Sequence, residues 1–158
     1  KSLGLTLLLL LAACASDVGR EEQELEFELG TGSWRFDPID DGMEIDMIRG
    51  AQGGWHVWLA FRTRGMEVDG PVQLETRTLR EGSGAEPHVT RIAVPFERPN
   101  FEGDRVFVGW TEILGDPSCM LGEPLHVEAT LFAGGEPLTD ERMFIPMGGA
   151  YPPPECEE

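Results

Sequence analysis

The chain has 158 residues, of which 29 are acidic and 12 are basic, and its formal net charge is −17. This length suits one domain, and the charge argues against a basic surface that would bind nucleic acid or anionic lipid. The only lysine is Lys1, so no residue after it could form a Schiff base through a lysine side chain.

The N-terminal residues have the composition of a secretory signal. Lys1 is followed by an apolar run over residues 3–11, and Ala12 and Ala13 come next. A positive residue, an apolar run too short to span a bilayer and a pair of small residues occur in this order in signal peptides. We predict that residues 1–13 form a signal peptide. The alternative is a short core helix of the folded domain.

Cys14 follows the small residues, and Leu11-Ala12-Ala13-Cys14 resembles the lipobox of bacterial lipoprotein precursors. The resemblance implies that Cys14 is acylated, becomes the new N-terminus and holds the protein in membrane lipid. It implies a bacterial cell-envelope location, and because Ala15 is not Asp, the outer membrane is favoured. The alternative is an ordinary secretory signal. We predict a lipidated acidic tether over residues 14–24 and one folded domain over residues 25–158.

Removal of the signal would leave 11 arginines against 29 acidic residues, a net charge of −18. Such an excess favours solubility and attracts cations, and we predict no nucleic-acid partner. The simplest interpretation is a solvated acidic surface.

The first part of the domain is predicted to consist of strands joined by acidic turns. Apolar and acidic residues alternate over residues 25–29 and again over residues 43–47, a pattern typical of half-buried strands. Trp34 and Phe36 are expected to anchor the intervening turn against the core. That turn also holds four carboxylates, which either form turns or bind calcium, although their spacing differs from the calcium-loop pattern. They are Asp37, Asp40, Asp41 and Glu44.

The most apolar run of the domain, residues 55–61, is predicted to be a central strand because both of its faces are partly apolar. The glycine-rich turn before it reads Gly50-Ala51-Gln52-Gly53-Gly54-Trp55-His56. This segment resembles a Gly-x-Gln-Gly-Gly-x-His segment in uncharacterised bacterial envelope lipoproteins. The resemblance covers residues 34–61, implies an immunoglobulin-like sandwich and brings no established activity.

An amide and an imidazole beside a glycine turn could form a small polar pocket. The candidate ligand pocket consists of Gln52, Gly53, Gly54 and His56. The alternative is that the glycines shape the turn and His56 donates a hydrogen bond to a neighbouring backbone carbonyl.

Five further strands are predicted, at residues 71–80, 88–96, 105–114, 125–131 and 142–146. In the third of these, Val106, Val108 and Trp110 are expected on one face and Phe107 on the other. About eight strands with turns every eight to twelve residues and no convincing amphipathic helix predict an all-β, immunoglobulin-like antiparallel sandwich. A β-barrel is the alternative.

The other two cysteines form a natural pair. With Cys14 assigned to lipidation, Cys119 and Cys156 are predicted to form a disulfide in an oxidising compartment. The bond would hold the proline-rich C-terminal tail against the loop before a late strand. The alternative is two free thiols.

No catalytic motif is recognisable in the sequence. The chain has no phosphate loop, no His-Glu-x-x-His and no Cys-x-x-Cys, and Ser83 lacks the glycines of a nucleophile elbow. We therefore predict no enzyme activity, no cofactor and no metal, but a membrane-anchored binding or structural protein with an envelope-protein or small-molecule partner.

Two other functions stay open. One is metal binding, either of calcium by the acidic turn or of copper by the histidines with nearby methionines. The other is a hydrolase whose site assembles from distant residues. The residues of the copper hypothesis are His56, His88, His126, Met43, Met47 and Met66.

Overall fold

The computed structural model describes residues 25–67, 70–97 and 102–156. The predicted signal peptide, Cys14 and the tether lie outside the described residues. Within them are ten strands and one helical turn, and no helix there is long and apolar enough to cross a membrane. The elements are β1 (Glu26–Thr31), β2 (Asp37–Pro38), β3 (Met43–Asp46), β4 (Ile48–Arg49), β5 (Trp55–Arg64), β6 (Val72–Arg80), β7 (His88–Val94), β8 (Asp104–Ile113), α1 (Pro117–Met120), β9 (Leu125–Phe132) and β10 (Leu138–Met147).

The strands form two sheets that pack against each other. In the first sheet, β5 is the central strand. Strand β8 pairs with one of its edges, and β1 and β4 pair with the other edge. Strand β2 pairs with the outer edge of β1. The second sheet has the order β3-β10-β9-β6-β7, in which only the β3–β10 pair is parallel. The predicted all-β sandwich is confirmed. The barrel alternative is wrong, because the two sheets stay separate.

The strand connections are those of an immunoglobulin-like sandwich. Strands β1, β5 and β8 correspond to A, B and E of that fold, and β6, β9 and β10 correspond to C, F and G. The predicted second strand, residues 43–47, corresponds to β3, which pairs with the last strand of the second sheet. The chain then crosses at Met47 to β4, a short strand of the first sheet that was not predicted. Strands β5 and β9 contain no cysteine, so the inter-sheet disulfide of antibody domains has no counterpart between them.

The core consists of the inward-facing residues of both sheets, as period-two alternation requires. Phe61 lies at its centre and stacks against Phe27 and Phe107, with ring centroids 6.3 Å apart in each pair. The second sheet contributes fully buried side chains such as Phe144 and Leu131. The apolar alternation that predicted the strands therefore also fills the space between the sheets.

Strand β8 contains a β-bulge that the sequence prediction missed. Leu59 pairs with Trp110 and Phe61 pairs with Phe107, so β8 has an extra residue between these two pairs. Gly109 adopts a φ of 75°, which suits a residue without a side chain. The expectation that Trp110 and Phe107 lie on opposite faces is wrong, because the bulge turns both toward the core.

The bulge also turns a carboxyl group into the interior. Glu112 is 0% exposed and lies opposite two threonines of the other sheet. Its oxygens accept hydrogen bonds from Thr78 Oγ1 at 2.8 Å, from Thr76 Oγ1 at 3.1 Å and from Trp110 Nε1 at 3.1 Å. A buried polar group needs such partners, and these bonds connect β8 with β6 across the sandwich.

The C-terminal tail lies back against the turn before β9. Cys119 and Cys156 are at disulfide-bonding distance, with their Cα atoms 4.7 Å apart and 37 positions apart in sequence. The sequence predicts a turn here, and the structure shows that this turn includes the single helical turn α1, which was not predicted. Asp116 caps this turn, because its Oδ1 accepts a hydrogen bond from the backbone N–H of Cys119 at 3.3 Å.

We expect Glu112→Ala to lower the free energy of unfolding by about 3 kcal/mol, because it leaves three buried donors without an acceptor and opens a cavity. Urea denaturation measures the change. Glu128→Ala, on the outward face of β9, is the control and should change stability by less than about 1 kcal/mol. Equal stability of the two variants would contradict a structural role for the buried hydrogen bonds.

We expect replacement of both Cys119 and Cys156 by Ser to lower stability by about 3 kcal/mol, since the bond constrains a long loop of the unfolded chain. Denaturation of both proteins with and without reductant measures this. Reductant should destabilise the parent chain and leave the double variant unchanged. Two thiols that react freely in the native parent protein would contradict the pairing.

Candidate functional site

The glycine-rich turn between β4 and β5 is closed by its own backbone. Gly50 donates its N–H to the carbonyl of Gly54 at 2.7 Å, and Gly53 donates to the carbonyl of Gly50 at 3.0 Å. Gly53 has a φ of 96°, a conformation that residues with a side chain rarely adopt. The glycines therefore shape this turn, while the side chain of Gln52 is exposed at its tip.

His56 lies on the outward face of the first sheet, opposite Ile48 of β4 and Ile113 of β8. It is only 8% exposed, and its ring meets the ring of Trp58 edge-on with centroids 4.7 Å apart. Its Nε2 is buried and has no hydrogen-bond partner among the described residues. Burial lowers the pKa of His56 below its ordinary value, because desolvation disfavours the imidazolium.

The structure brings only part of the predicted ligand pocket together. A β-carbon added to Gly50 would lie 3.8 Å from His56 Nδ1, so the imidazole does adjoin the turn. The cleft beside the turn measures about 280 Å³ and is lined by Arg49, Gly50, Ala51, Gly53 and Tyr151. Gly53 is thus the member of the predicted pocket that lines this cleft.

The three histidines do not converge. His88 is exposed on β7, with its Nε2 3.3 Å from Thr90 Oγ1, and His126 on β9 lies 3.5 Å from a carboxylate oxygen of Glu141. His56 belongs to the other sheet. Within residues 25–67, 70–97 and 102–156, no group of three or more His, Cys, Asp or Glu side chains is placed to hold a metal ion.

Carboxylates of the acidic turn have structural partners. Asp37 lies 2.9 Å from Nε of Arg35, and Asp41 Oδ1 accepts a hydrogen bond from the backbone N–H of Met143 at 3.3 Å. The Asp41 contact holds the turn against β10 of the second sheet. Asp37 and Asp41 therefore contact different neighbours instead of a common centre.

A cluster of charged residues crosses β1, β5 and β8 at a cleft of about 260 Å³. Arg62 pairs with Glu28, and Arg64 pairs with Asp104 at 2.8 Å and with Glu26 at 3.2 Å. The hydrogen bond and the charge of Asp104 raise the pKa of Arg64 above its ordinary value. Each arginine is balanced by a carboxylate, and the cluster ties the three strands together.

A third cleft, which the sequence did not predict, is created by the segment after β1. Gly32 accepts a hydrogen bond from the backbone N–H of Gly109 at 3.0 Å. Because β5 lies between β1 and β8, residues 32–36 must arch over the outward face of β5 to make this contact. We call this segment the arch.

The two aromatic residues of the arch differ in their exposure to solvent. Phe36 lies against Gly30 on the outward face of the first sheet, where an added β-carbon would sit 2.6 Å from its ring, so it packs on the sheet but not against the core as predicted. Trp34 is 92% exposed, so the prediction that it anchors the turn against the core is wrong. An indole exposed to this degree is uncommon, because burying it would gain free energy.

The cleft between the arch, β5 and the β3–β4 crossover measures about 380 Å³, and we call it the indole cleft. Its walls combine two indoles and a partly exposed Ile48 with carboxylates, a composition typical of ligand-binding clefts. Residues that line it include Ser33, Trp34, Arg35, Asp46, Ile48 and Trp58.

No protein-family model matches this chain, and no curated protein matches it either. The described residues form a β-sandwich with clefts on the outward face of one sheet. Because many unrelated functions occur on this fold, function has to be argued from the clefts and from the sequence.

We expect the pH dependence of stability to report on His56. From about pH 7.5 to about pH 5.5 the unfolded chain takes up a proton on this imidazole near its ordinary pKa, whereas the folded chain resists protonation. Stability should therefore fall as pH falls through this range. The substitution His56→Asn should remove that part of the slope, and His88→Asn, at an exposed position, should leave it.

NMR titration of the histidine ring protons in the folded protein tests the same point directly. The signal of His56 should titrate below the ordinary pKa of a histidine side chain. A pKa of His56 at or above 6.5 would contradict the burial of a neutral ring.

Proposed function

We propose that this protein is a lipid-anchored lipoprotein of the bacterial cell envelope whose folded domain has a non-enzymatic binding role. The observation that carries the proposal is the segment Leu11-Ala12-Ala13-Cys14 after a short apolar run. Acyl chains on Cys14 would hold the protein on a membrane, and Ala15 favours the outer membrane. Two or more chains are needed for lasting attachment, as lipobox processing provides.

The placement of the three cysteines supports this location. Cys119 and Cys156 lie at bonding distance, with Cα atoms 4.7 Å apart, and such pairs are stable in oxidising compartments. We propose that they form the disulfide of the mature protein. The cysteine that remains is Cys14, which is the residue that the lipobox resemblance assigns to acylation.

The surface of the domain supports binding more than catalysis. The charged cluster on β1, β5 and β8 is balanced within itself, since Arg62 and Arg64 each contact a carboxylate. The indole cleft instead exposes Trp34 to solvent, and exposed aromatic residues at concave surfaces are frequent anchors of binding sites. The arrangement is suited to holding a ligand or partner.

The anchor is tested with Cys14→Ala expressed in a bacterial host that processes lipoproteins. We expect the parent protein to enter the detergent phase of a phase-partitioning experiment and the variant to stay in the aqueous phase, because loss of the acyl chains removes the apolar attachment. Cys119→Ser is the control and should partition with the parent protein.

Intact-mass measurement of the parent protein completes the test. We expect a chain that begins at Cys14 and carries acyl mass. A parent protein that retains residues 1–13, or that begins at Cys14 without acyl mass, would contradict the proposed anchor.

A further inference from the structure

We propose that the indole cleft binds an organic cation, namely an alkylammonium group. The proposal deepens the binding role proposed above and rests on it, but it does not depend on the lipid anchor. The ammonium group could belong to a small molecule or to a lysine side chain of a partner, and the experiment below separates these two sources.

The aromatic walls of the cleft offer an exposed ring to a cation. Trp34 is 92% exposed at the tip of the arch, and Trp58, whose ring also contacts His56, is half-buried on β5. The face of an indole carries negative electrostatic potential and attracts ammonium groups more strongly than the ring of Phe or Tyr does. Ile48 adds an apolar surface on which methyl or methylene groups can pack.

Other rings near this surface already accept cations from the chain itself. The guanidinium of Arg62 lies over the ring of Phe36 at 4.5 Å, and that of Arg49 lies over Trp55 at 5.5 Å. Among the described residues, no arginine lies over Trp34 or Trp58 in this way. Trp34 also has no ring contact among the described residues, so it is the indole most open to an external cation, while Trp58 contacts His56 and forms the wall beside it.

A carboxylate beside the indoles supplies the charge. Asp46 is exposed, lines the cleft and has no hydrogen-bond or ion-pair partner within the described part of the chain. The one cation in the lining, Arg35, is held by Asp37 at 2.9 Å and does not neutralise Asp46. The net charge of −17 draws cations toward the protein from a distance.

Ligands of other charge fit the cleft less well. An anion would be repelled by Asp46 and by the acidic surface as a whole. A neutral apolar ligand would pack on the indoles but would remove water from the Asp46 carboxylate without replacing its interactions. An alkylammonium group satisfies both the aromatic faces and the carboxylate.

Binding is measured with the purified full chain in a non-ionic detergent, by NMR of the indole N–H groups. The probes are choline and 3,3-dimethylbutan-1-ol, which has the same shape without the charge. We expect choline to shift the Trp34 and Trp58 signals saturably with a Kd of roughly 1 mM, because so small a ligand gains little free energy. The neutral probe should bind about tenfold more weakly.

A trilysine peptide identifies the source of the group. Tighter binding of trilysine than of choline would assign the cleft to a lysine of a partner, and the reverse order would assign it to a small molecule. Either order supports recognition of an ammonium group.

Matched variants localise the binding. Trp34→Ala removes an exposed indole and Asp46→Asn removes an exposed negative charge, so the fold should persist in both, and each should weaken choline binding by about fivefold to tenfold. Tyr151→Ala removes an exposed aromatic elsewhere, and Glu136→Gln changes the net charge equally at a distant hairpin. Both controls should bind like the parent protein.

Three results would overturn the proposal. The first is equal binding of choline and its neutral counterpart, and the second is unchanged choline binding by Trp34→Ala. The third is the lack of a saturable shift at about 50 mM choline. None of these results bears on the Cys14 anchor, which partitioning and mass measure separately.

Discussion

The carboxyl group of Glu112 holds the two sheets of the sandwich in a defined relation. It lies in the interior and accepts hydrogen bonds from Thr76 and Thr78 of the facing sheet and from Trp110 of its own strand. An apolar residue at this position would tolerate many ways of packing, whereas a buried acceptor requires its donors at fixed places. The two sheets are therefore joined by a polar contact between β8 and β6, whereas antibody domains join theirs by a disulfide between the strands that correspond to β5 and β9.

Strand β8, which carries Glu112, also determines the position of the arch beside the indole cleft. The bulge at Gly109 shifts the alternation of β8, so that Trp110 and Glu112 face inward. It also leaves the Gly109 N–H available to the carbonyl of Gly32, which holds the arch across β5. A β-carbon at Gly109 would lie only 3.0 Å from the carbonyl oxygen of Ser33, so glycine suits both the bulge and the contact. One irregular residue thus positions the core acid and the exposed indole of Trp34.

Much of the fold could be predicted from the sequence, because apolar alternation and turn residues mark all eight of the longer strands. The two-residue strands and α1 are too short to produce such a pattern, and the polar residues at the start of β10 hide its first half. The glycine turn before β5 was recognisable from composition. The indole cleft was not, because it depends on the register shift at Gly109 and joins residues from several elements. The spacing of Trp34 and Phe36 in the sequence also does not predict that Trp34 is exposed to solvent while Phe36 packs on the outward face of the sheet.

The direction of β1 has a consequence for how the domain would meet its surroundings. Glu26 begins this strand just after the N-terminal segment, and Thr31 ends it where the arch starts. A six-residue strand spans roughly 17–20 Å, which separates the first residues of the sandwich from the arch that bears the exposed tryptophan. A contact made through the chain before Glu26 would therefore act at the end of β1 opposite to the exposed indole and would leave the aromatic end open to diffusing solutes.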